Sequence, residues 1–499
     1  MPPACWLLVR SPPVEVLVVC HPAPQRRTGL ASNPIILRDI DRGLVVRPQA
    51  LFSCFYPRNI VRCAGALTKE PFSHQCSESS YMFKPHQLKW MGAVVLALAV
   101  SSCSVDAPTE ASTSDDTTPI VRNGDLVPGQ YIVAFNDYAV ARKGEDLQAL
   151  THSARLELVK EAATGLTQKH ALSAGAVKTV WGTAVQGVLM QLTDDQAAKL
   201  RQDPTVRYVE QDRWVTLPPF TVMGDADAQA RPGGGGGGTQ PAQETPWGIT
   251  KVGGAVDATS STVKAWIVDS GIDTDHPDLN VNKGLGRNYV TSGKSTVEDG
   301  NGHGTHVAGT VGAKNNSIGV VGVAAGITVI PMRVLSSSGS GQFSWSISAF
   351  DHIAANAASG DVVNYSVGPS SRYTLQSLDN AVTNVASKGI KVCLAAGNAA
   401  DDCTYFSPAR VNVANVYTIA AMNSSTAWAS FSNYGGPVDY IEPGVGVKST
   451  WLSGGYNTIS GTSMASPHGC GIAAVGGFAD GGTVSGVPAG TTTTWGKHN

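Results

Sequence analysis

Apolar side chains along this 499-residue chain fall into three patterns, and each predicts a different kind of element. The first is a short unbroken run. Lys84, His86 and Lys89 precede the stretch from Trp90 to Val100, which Ser101-Ser102-Cys103 follows. A basic start, a brief apolar core and small residues before a break describe a secretory signal. No run reaches the ~18 residues that a membrane span needs. The second pattern mixes two periods within residues 127–216. Gly129 to Phe135 is strand-like, and Leu147, Leu150, Leu156 and Leu158 recur at helical spacing between Glu145 and Ala163. Val177 to Leu192 predicts one or two strands, with a turn at Trp181-Gly182-Thr183. Thr193-Asp194-Asp195 caps a short helix through Arg201, and Val206 to Asp212 closes the unit as a strand. This β-α-β-β-α-β order predicts a small α+β sandwich of ferredoxin-like form. The third pattern is a strand apolar on both faces, Val263 to Val268, ending in Asp269. Such strands belong to parallel sheets covered by helices, which place sites at the carboxyl edge. Two further segments, starting at His303 and near Ser463, are expected to be helical.

Punctuation between these patterns divides the chain. Residues 1–81 hold ten prolines and five of the nine cysteines with no sustained helix or strand period, and are expected to be a non-native or disordered extension. Residues 82–103 are the signal, and 104–126, rich in Ser, Thr and Asp, a flexible tether. The α+β unit occupies 127–216. Residues 217–245 contain Pro232 and six consecutive glycines, Gly233 to Gly238, and form a linker; no Lys-Ser or Lys-Thr follows, so they are not a phosphate loop. Residues 246–499 form the largest unit.

Charge adds an exclusion. With 36 Lys+Arg against 38 Asp+Glu, a net charge of −2 provides no electrostatic case for nucleic acid. Export permits disulfides. Beyond Cys103 only Cys393, Cys403 and Cys470 remain; a Cys393–Cys403 bridge would stiffen the segment between them and leave Cys470 free.

Candidate chemistry lies in three blocks: Ile267-Val268-Asp269-Ser270-Gly271, His303-Gly304-Thr305-His306-Val307-Ala308-Gly309 and Gly461-Thr462-Ser463-Met464-Ala465-Ser466-Pro467. A serine hydroxyl needs an imidazole to take its proton and a carboxylate to orient that imidazole. Together the blocks resemble the subtilisin-like serine proteases, most closely the proteinase K-like branch. Subtilisin is the reference case for this Asp–His–Ser order. The resemblance covers about residues 246–475 and implies an α/β catalytic domain with a mostly parallel central sheet flanked by helices. It implies Asp269, His303 and Ser463 as catalytic residues and Asn398, in Ala395-Ala396-Gly397-Asn398, as the oxyanion donor beside the Ser463 N–H. Ser366-Val367-Gly368 resembles the strand that pairs with substrate, and Ala395, Ala396 and Gly397 suggest an open pocket floor for a large apolar side chain. His306 is expected to be buried structure, since the zinc pattern His-Glu-x-x-His is missing, and His276 a turn residue. Asp273 and Asp299 are expected to be solvated loop charges near the site.

The same resemblance extends upstream. Val127 to Val133 and Val206 to Glu210 are similar to the two ends of the subtilisin propeptide, which implies an intramolecular inhibitor and a self-processed zymogen. Ala242 to Gly248 resembles the start of mature family members, so the cut is expected between Leu217 and Ala242. Val100-Ser101-Ser102-Cys103 resembles the bacterial lipobox, with Cys103 lipidated; the anchor would then belong to the propeptide, and self-cleavage would release the protease. The resemblance implies secretion, a monomer, protein and peptide substrates, and no cofactor for the chemistry. Calcium is typical of relatives as a structural ion; Asn423 stands where a calcium-binding Asp is usual and implies weak or absent binding at that one place.

Three departures keep a second reading open, a non-catalytic surface lipoprotein that retains the fold. Pro369 removes a backbone donor beside the substrate strand. Gly469 and Gly471 fall inside the Ser463 helix, where each glycine costs about 1 kcal/mol relative to alanine. The last 36 residues after Ser463 do not resemble the family's closing helix.

Overall fold

The computed structural model describes residues 122–142, 146–217, 240–293 and 295–499, together with two strands near the start, Cys5–Val9 and Val16–Cys20. The chain divides into two compact units, Met1–Pro108 and Thr109–Asn499. In the first, the two strands pair antiparallel. This hairpin departs from the expectation of no strand period there: two short apolar runs flank Pro12-Pro13, and turn residues between such runs are a hairpin signal. The expected signal, the expected lipidation at Cys103, most of the expected tether and most of the expected linker lie outside the described residues. No described helix is long and apolar enough to cross a membrane.

The second unit opens with β1 (Leu126–Phe135), α1 (His152–Lys169), β2 (Val177–Trp181), β3 (Gly187–Gln191), α2 (Asp194–Leu200) and β4 (Val206–Thr216). This is the expected β-α-β-β-α-β order. The α1 helix starts at His152 instead of Glu145 because the Thr151 hydroxyl accepts from Ala154 N at 3.2 Å, capping it there. A capping box formed by Thr193 and Gln196 starts α2. Buried Tyr131, Val133 and Phe135 of β1 pack with Leu158, Val159 and Leu166 of α1.

The larger part is built on eight parallel strands. They include β5 (Lys264–Asp269), β6 (Asn280–Val281), β7 (Arg287–Asn288), β8 (Thr328–Arg333), β10 (Val362–Tyr365), β11 (Lys391–Ala395), β12 (Val416–Met422) and β13 (Val438–Pro443), in the order β7-β8-β5-β10-β11-β12-β13 with β6 beside β8. Helices cover both faces, with α3 (His303–Gly312) and α6 (Thr462–Ala474) on one side. On the other lie α4 (Phe343–Asn356) and α5 (Gln376–Ala386). Alternation within β5 shows why Ala265 to Val268 are all apolar. Trp266 and Val268 join the cluster containing Phe350 and Val382, while Ala265 and Ile267 join the one containing Val307 and Met464. All four are fully buried, as a strand covered on both faces requires.

One strand crosses between the two parts. β9 (Ser340–Gln342) pairs antiparallel with Trp214–Thr216 of β4 and becomes the fifth strand of the small sheet. The chain ends in an antiparallel hairpin of β16 (Ala479–Thr483) and β17 (Thr494–Lys497), numbered after β14 (Val447–Thr450) and β15 (Tyr456–Ile459). Gly496 N donates to Glu442 Oε1 at 2.9 Å, and the Lys251 ammonium lies 4.2 Å from the centre of the Trp495 ring. An ordered hairpin, packed on β13, thus stands where the expected closing helix was not recognised.

Candidate active site

Asp269 is the last residue of β5 and fully buried. His303 opens α3, and its Nδ1 lies 2.8 Å from Asp269 Oδ1 and 2.9 Å from Oδ2. That carboxylate orients the imidazole and favours the tautomer whose proton is on Nδ1. The start of α3 is itself anchored. Asp299 accepts from Asn301 N, Gly302 N, Thr305 N and the Thr305 hydroxyl, and the Ser270 hydroxyl donates to it at 2.9 Å. Asp299 is therefore a buried cap on the His303 helix and not a solvated charge, which corrects the expectation. Asp273 is buried as well, accepting from Gly454 N at 2.8 Å. Burial, opposed by that bond and reinforced by Asp275 and Glu298, pushes its carboxyl up to about 6.

Ser463 is the second residue of α6. Pro467 lies within the same helix, and a proline has no N–H for the carbonyl four residues back. That carbonyl belongs to Ser463, and the Ser366 hydroxyl donates to it instead at 3.0 Å. In return the Ser463 hydroxyl donates to the Ser366 carbonyl at 3.2 Å. Asn398 Oδ1 accepts from Thr462 N and the Thr462 hydroxyl, both at 2.9 Å. This commits the amide oxygen to the helix and directs the donor end towards Gly461. A methyl added at Gly461 would lie 3.6 Å from Asn398 Nδ2 and 3.7 Å from Ser463 N. The two expected oxyanion donors therefore converge on one small volume.

Other expected residues occupy the ends of neighbouring strands. Ser366-Val367-Gly368 continues directly from β10, with Ser366 and Val367 buried and Gly368 half-buried. Ala395 ends β11; Ala395 and Gly397 are partly exposed. Ala396 differs from the expected open floor: it is fully buried in a cluster with Cys403, Ala420 and Met422. Sequence reasoning missed Asn433, which is fully buried, donates to Ala396 O and accepts from Ala399 N and Asp401 N. It holds the turn that carries Asn398 from 35 positions away, with no local motif to announce it. Thr462, Ser270 and Thr305 lie inside the quoted blocks and were overlooked as supports.

The histidine expectations agree with the structure. His306 is fully buried, bonds through Nε2 to Val447 O at 3.0 Å, and is pushed down to about 3 chiefly by burial. His276 donates to Gly455 O at 3.0 Å and accepts from Asp278 N in its turn. The bridge that the sequence leaves open between Cys393 and Cys403 does not form, and Cys470 is free. All three are free thiols, with Cys403 Sγ 3.6 Å from Ala396 O. Cys393 shares its core cluster with Cys470, and burial pushes its thiol well up. Cys393 and Cys403 sit in different core clusters, which rules out the bridge between them in this structure.

The helix glycines also have a packing reason. A methyl on Gly471 would come 2.5 Å from Val323 Cβ, and one on Gly469 2.9 Å from Ile419 Cδ1. Both let α6 approach its neighbours closely.

Comparison with known proteins now decides the family. A model described as the Subtilase family matches residues 260–476, and one described as Peptidase inhibitor I9 matches 130–218. An "Extracellular serine proteinase" of Thermus sp. (strain Rt41A) is 36% identical over 399 residues, covering 76% of this chain and 87% of its own. The chain belongs to the subtilase family. "Alkaline serine exoprotease A" of Vibrio alginolyticus is 34% identical over 75% of this chain and 67% of its own. A solved structure described as a cold adapted subtilisin-like serine proteinase is 37% identical, covering 46% of this chain and 83% of its own with a TM-score of 0.41. The subtilase is a serine peptidase of the subtilisin type, carrying an inhibitor domain ahead of the peptidase domain.

The inhibitor domain of the subtilase is held by carboxyl groups that hydrogen-bond to backbone N–H groups. Glu210 accepts from Gln376 N at 2.7 Å and Ser377 N at 2.9 Å, and Asp212 from Ser344 N at 3.1 Å. Two carboxylates thus satisfy the open N–H groups that begin α5 and α4. In the other direction Asp351 of α4 accepts from Thr183 N and Ala184 N, both at 2.7 Å. For metal ions, the carboxylates of Asp273, Asp275 and Glu298 offer oxygens within 4.8 Å of one another, a hard-ligand set that fits calcium. Asn423 spends its Oδ1 on Ser425 N and Ala427 N within its own loop.

Proposed function

We propose that the subtilase is an exported endopeptidase that hydrolyses peptide bonds through Asp269, His303 and Ser463. In the attack, Ser463 Oγ exchanges its Ser366 acceptor for His303 Nε2, gives up its proton there and bonds to the scissile carbonyl carbon. The carbonyl oxygen takes the negative charge, which Asn398 Nδ2 and the Ser463 N–H receive; the N-terminus of α6 adds a favourable dipole. His303 returns the proton to the leaving amine as the C–N bond breaks; water then gives a proton to His303 and bonds to the acyl carbon, the ester bond breaks, and Ser463 Oγ takes the proton back. Asp269 keeps the imidazolium oriented throughout. No step uses a cofactor; calcium at the Asp273 group would serve stability. Ser366–Gly368 would pair with extended substrate backbone. The small residues Ala395 and Gly397 favour broad selectivity with a large apolar side chain before the scissile bond.

Residues 127–216 would act as the intramolecular inhibitor, 217–245 would contain the maturation cut, and 246–499 would form the mature, monomeric enzyme. Secretion is supported by the signal pattern at 82–103 and by the name of the Thermus relative. A lipid on Cys103 would tether only the precursor. The observation that carries the reading is the bond of His303 Nδ1 to both oxygens of buried Asp269, together with Asn398 Nδ2 and Ser463 N lying close to one point at Gly461. The test is covalent labelling of the expressed full chain by a fluorophosphonate, with intact mass measured beside a Ser463→Ala control. Labelling and an inhibitor-sized cut in the wild type alone are expected; no label and no cut in either would favour the non-catalytic lipoprotein.

A further inference from the structure

The geometry points to Asn123, in the strap just before β1, as a positioning residue that clamps the inhibitor domain into the candidate cleft. This rests on reading Ser366–Gly368 as a cleft wall and 127–216 as the inhibitor. The last strand of the inhibitor, β4, is satisfied along one edge. Trp214 to Thr216 pair with Gln342 to Ser340, and Leu217 N donates to Gly339 O at 2.9 Å. Its other edge pairs with the strap at Trp214 and leaves Thr216 O to Asn123, beside the wall at Gly368 to Ser370. That wall presents Gly368 O and Ser370 N, and both are taken by Asn123. Its Nδ2 donates to Gly368 O at 3.3 Å and to Thr216 O at 2.8 Å, and its Oδ1 accepts from Ser370 N at 3.0 Å. A side-chain amide offers two donor protons and an acceptor oxygen, and this arrangement uses all of them.

The strap itself is held in register. Gly124 N donates to Trp214 O and Trp214 N to Asp125 O, each at 2.8 Å, while Arg213 donates to Gly124 O at 2.8 Å. Gly124, at φ +89, makes the turn that delivers Asn123. Asn123 thereby bridges the end of β4 to the wall at Gly368 and Ser370 through its side chain. It stays with the inhibitor after a cut between 217 and 245, so the clamp acts on the zymogen and leaves with the inhibitor. Gly368 O and Ser370 N then become open to substrate.

The experiment uses the full chain carrying Ser463→Ala, which remains uncut whether or not the wild type is active. Amide hydrogen exchange is followed at Ser370 and across 214–217, alone and with Asn123→Ala, Asn123→Asp or Arg122→Ala added. The loss of one hydrogen bond predicts exchange at Ser370 faster by about 2–10-fold in Asn123→Ala. Asn123→Asp keeps the acceptor and should leave Ser370 protected while 214–217 loosens; Arg122→Ala should match the parent. Parental exchange at Ser370 in Asn123→Ala overturns the clamp. If that variant loosens the whole fold, Asn123→Asp decides alone: Ser370 protection retained supports the clamp, and its loss overturns it. Failure of the enzyme reading would appear separately, as absent fluorophosphonate labelling of the wild type.

Discussion

Pro467 shows how much one residue can reroute near the candidate nucleophile. By withholding an N–H from the Ser463 carbonyl, it gives the Ser366 hydroxyl a partner and ties the nucleophile to the wall beside it. Ser366→Ala should leave that buried carbonyl without a donor and cost about 1–3 kcal/mol, read as a fall in Tm of the Ser463→Ala full chain. At Asn398 the expectation is kinetic. Asn398→Ala should lower kcat by ~10²–10³ with KM little changed, the loss known for this donor in subtilisin itself; an equal rise in KM alone would remove Asn398 from the oxyanion role. Asn398 could be picked from the sequence because its proposed role rests on adjacent residues, Ala395 to Gly397. Asn433 could not, since its three bonds to the same turn arise only when β11 and the loop after β12 are brought together.

At the scale of elements, glycine has opposite meanings in two helices. Gly165 in α1 faces open space, with nothing within 4 Å of an added methyl. Gly165→Ala should therefore stabilise by about 1 kcal/mol through helix propensity alone. Gly471 in α6 would gain the same propensity, but its methyl would lie 2.5 Å from Val323 Cβ. Overpacking of this kind costs about 1–3 kcal/mol, and outweighs the gain, so Gly471→Ala should lower Tm where Gly165→Ala raises it. The pattern of residues around Ser463 suggested a weakened helix. Its neighbours turn the same glycines into a condition for close packing.

Across the whole molecule, buried carboxylates tie stability to pH. Burial pushes Asp439 up to about 6, against the lowering effect of Thr418 N donating at 2.8 Å. An unfolded Asp titrates near ~3.9. The folded state therefore holds the proton more tightly, and the associated stability, complete below about 4, is lost as pH rises towards 6. Asp439→Asn should bring a Tm advantage over its parent that grows between about pH 4 and pH 6 and then levels off. Glu442 is fully buried, with Oε2 unpaired and its carboxyl pushed well up by burial. Glu442→Gln should show an advantage that continues to grow above pH 6, both measured in the Ser463→Ala full chain. A flat difference across pH in either pair would place the carboxyl in contact with water.

Local pattern along the chain was enough to predict the order of elements in the small domain, the strand that ends in Asp269 and the helices at His303 and Ser463. These rest on local periodicity, caps and short motifs, which a linear reading contains. It also carried the family resemblance, since the three blocks and the Asn398 segment are contiguous. Only tertiary structure decided that Cys393 meets Cys470 and not Cys403, that Asp299 is a buried cap, and that the last residues form a hairpin on β13. It alone decided that β9 joins the inhibitor sheet and that Asn123 reaches a wall 245 positions away. Such pairings depend on which faces two distant segments present to each other. No residue type or spacing along the chain encodes that until the sheet has ordered its strands.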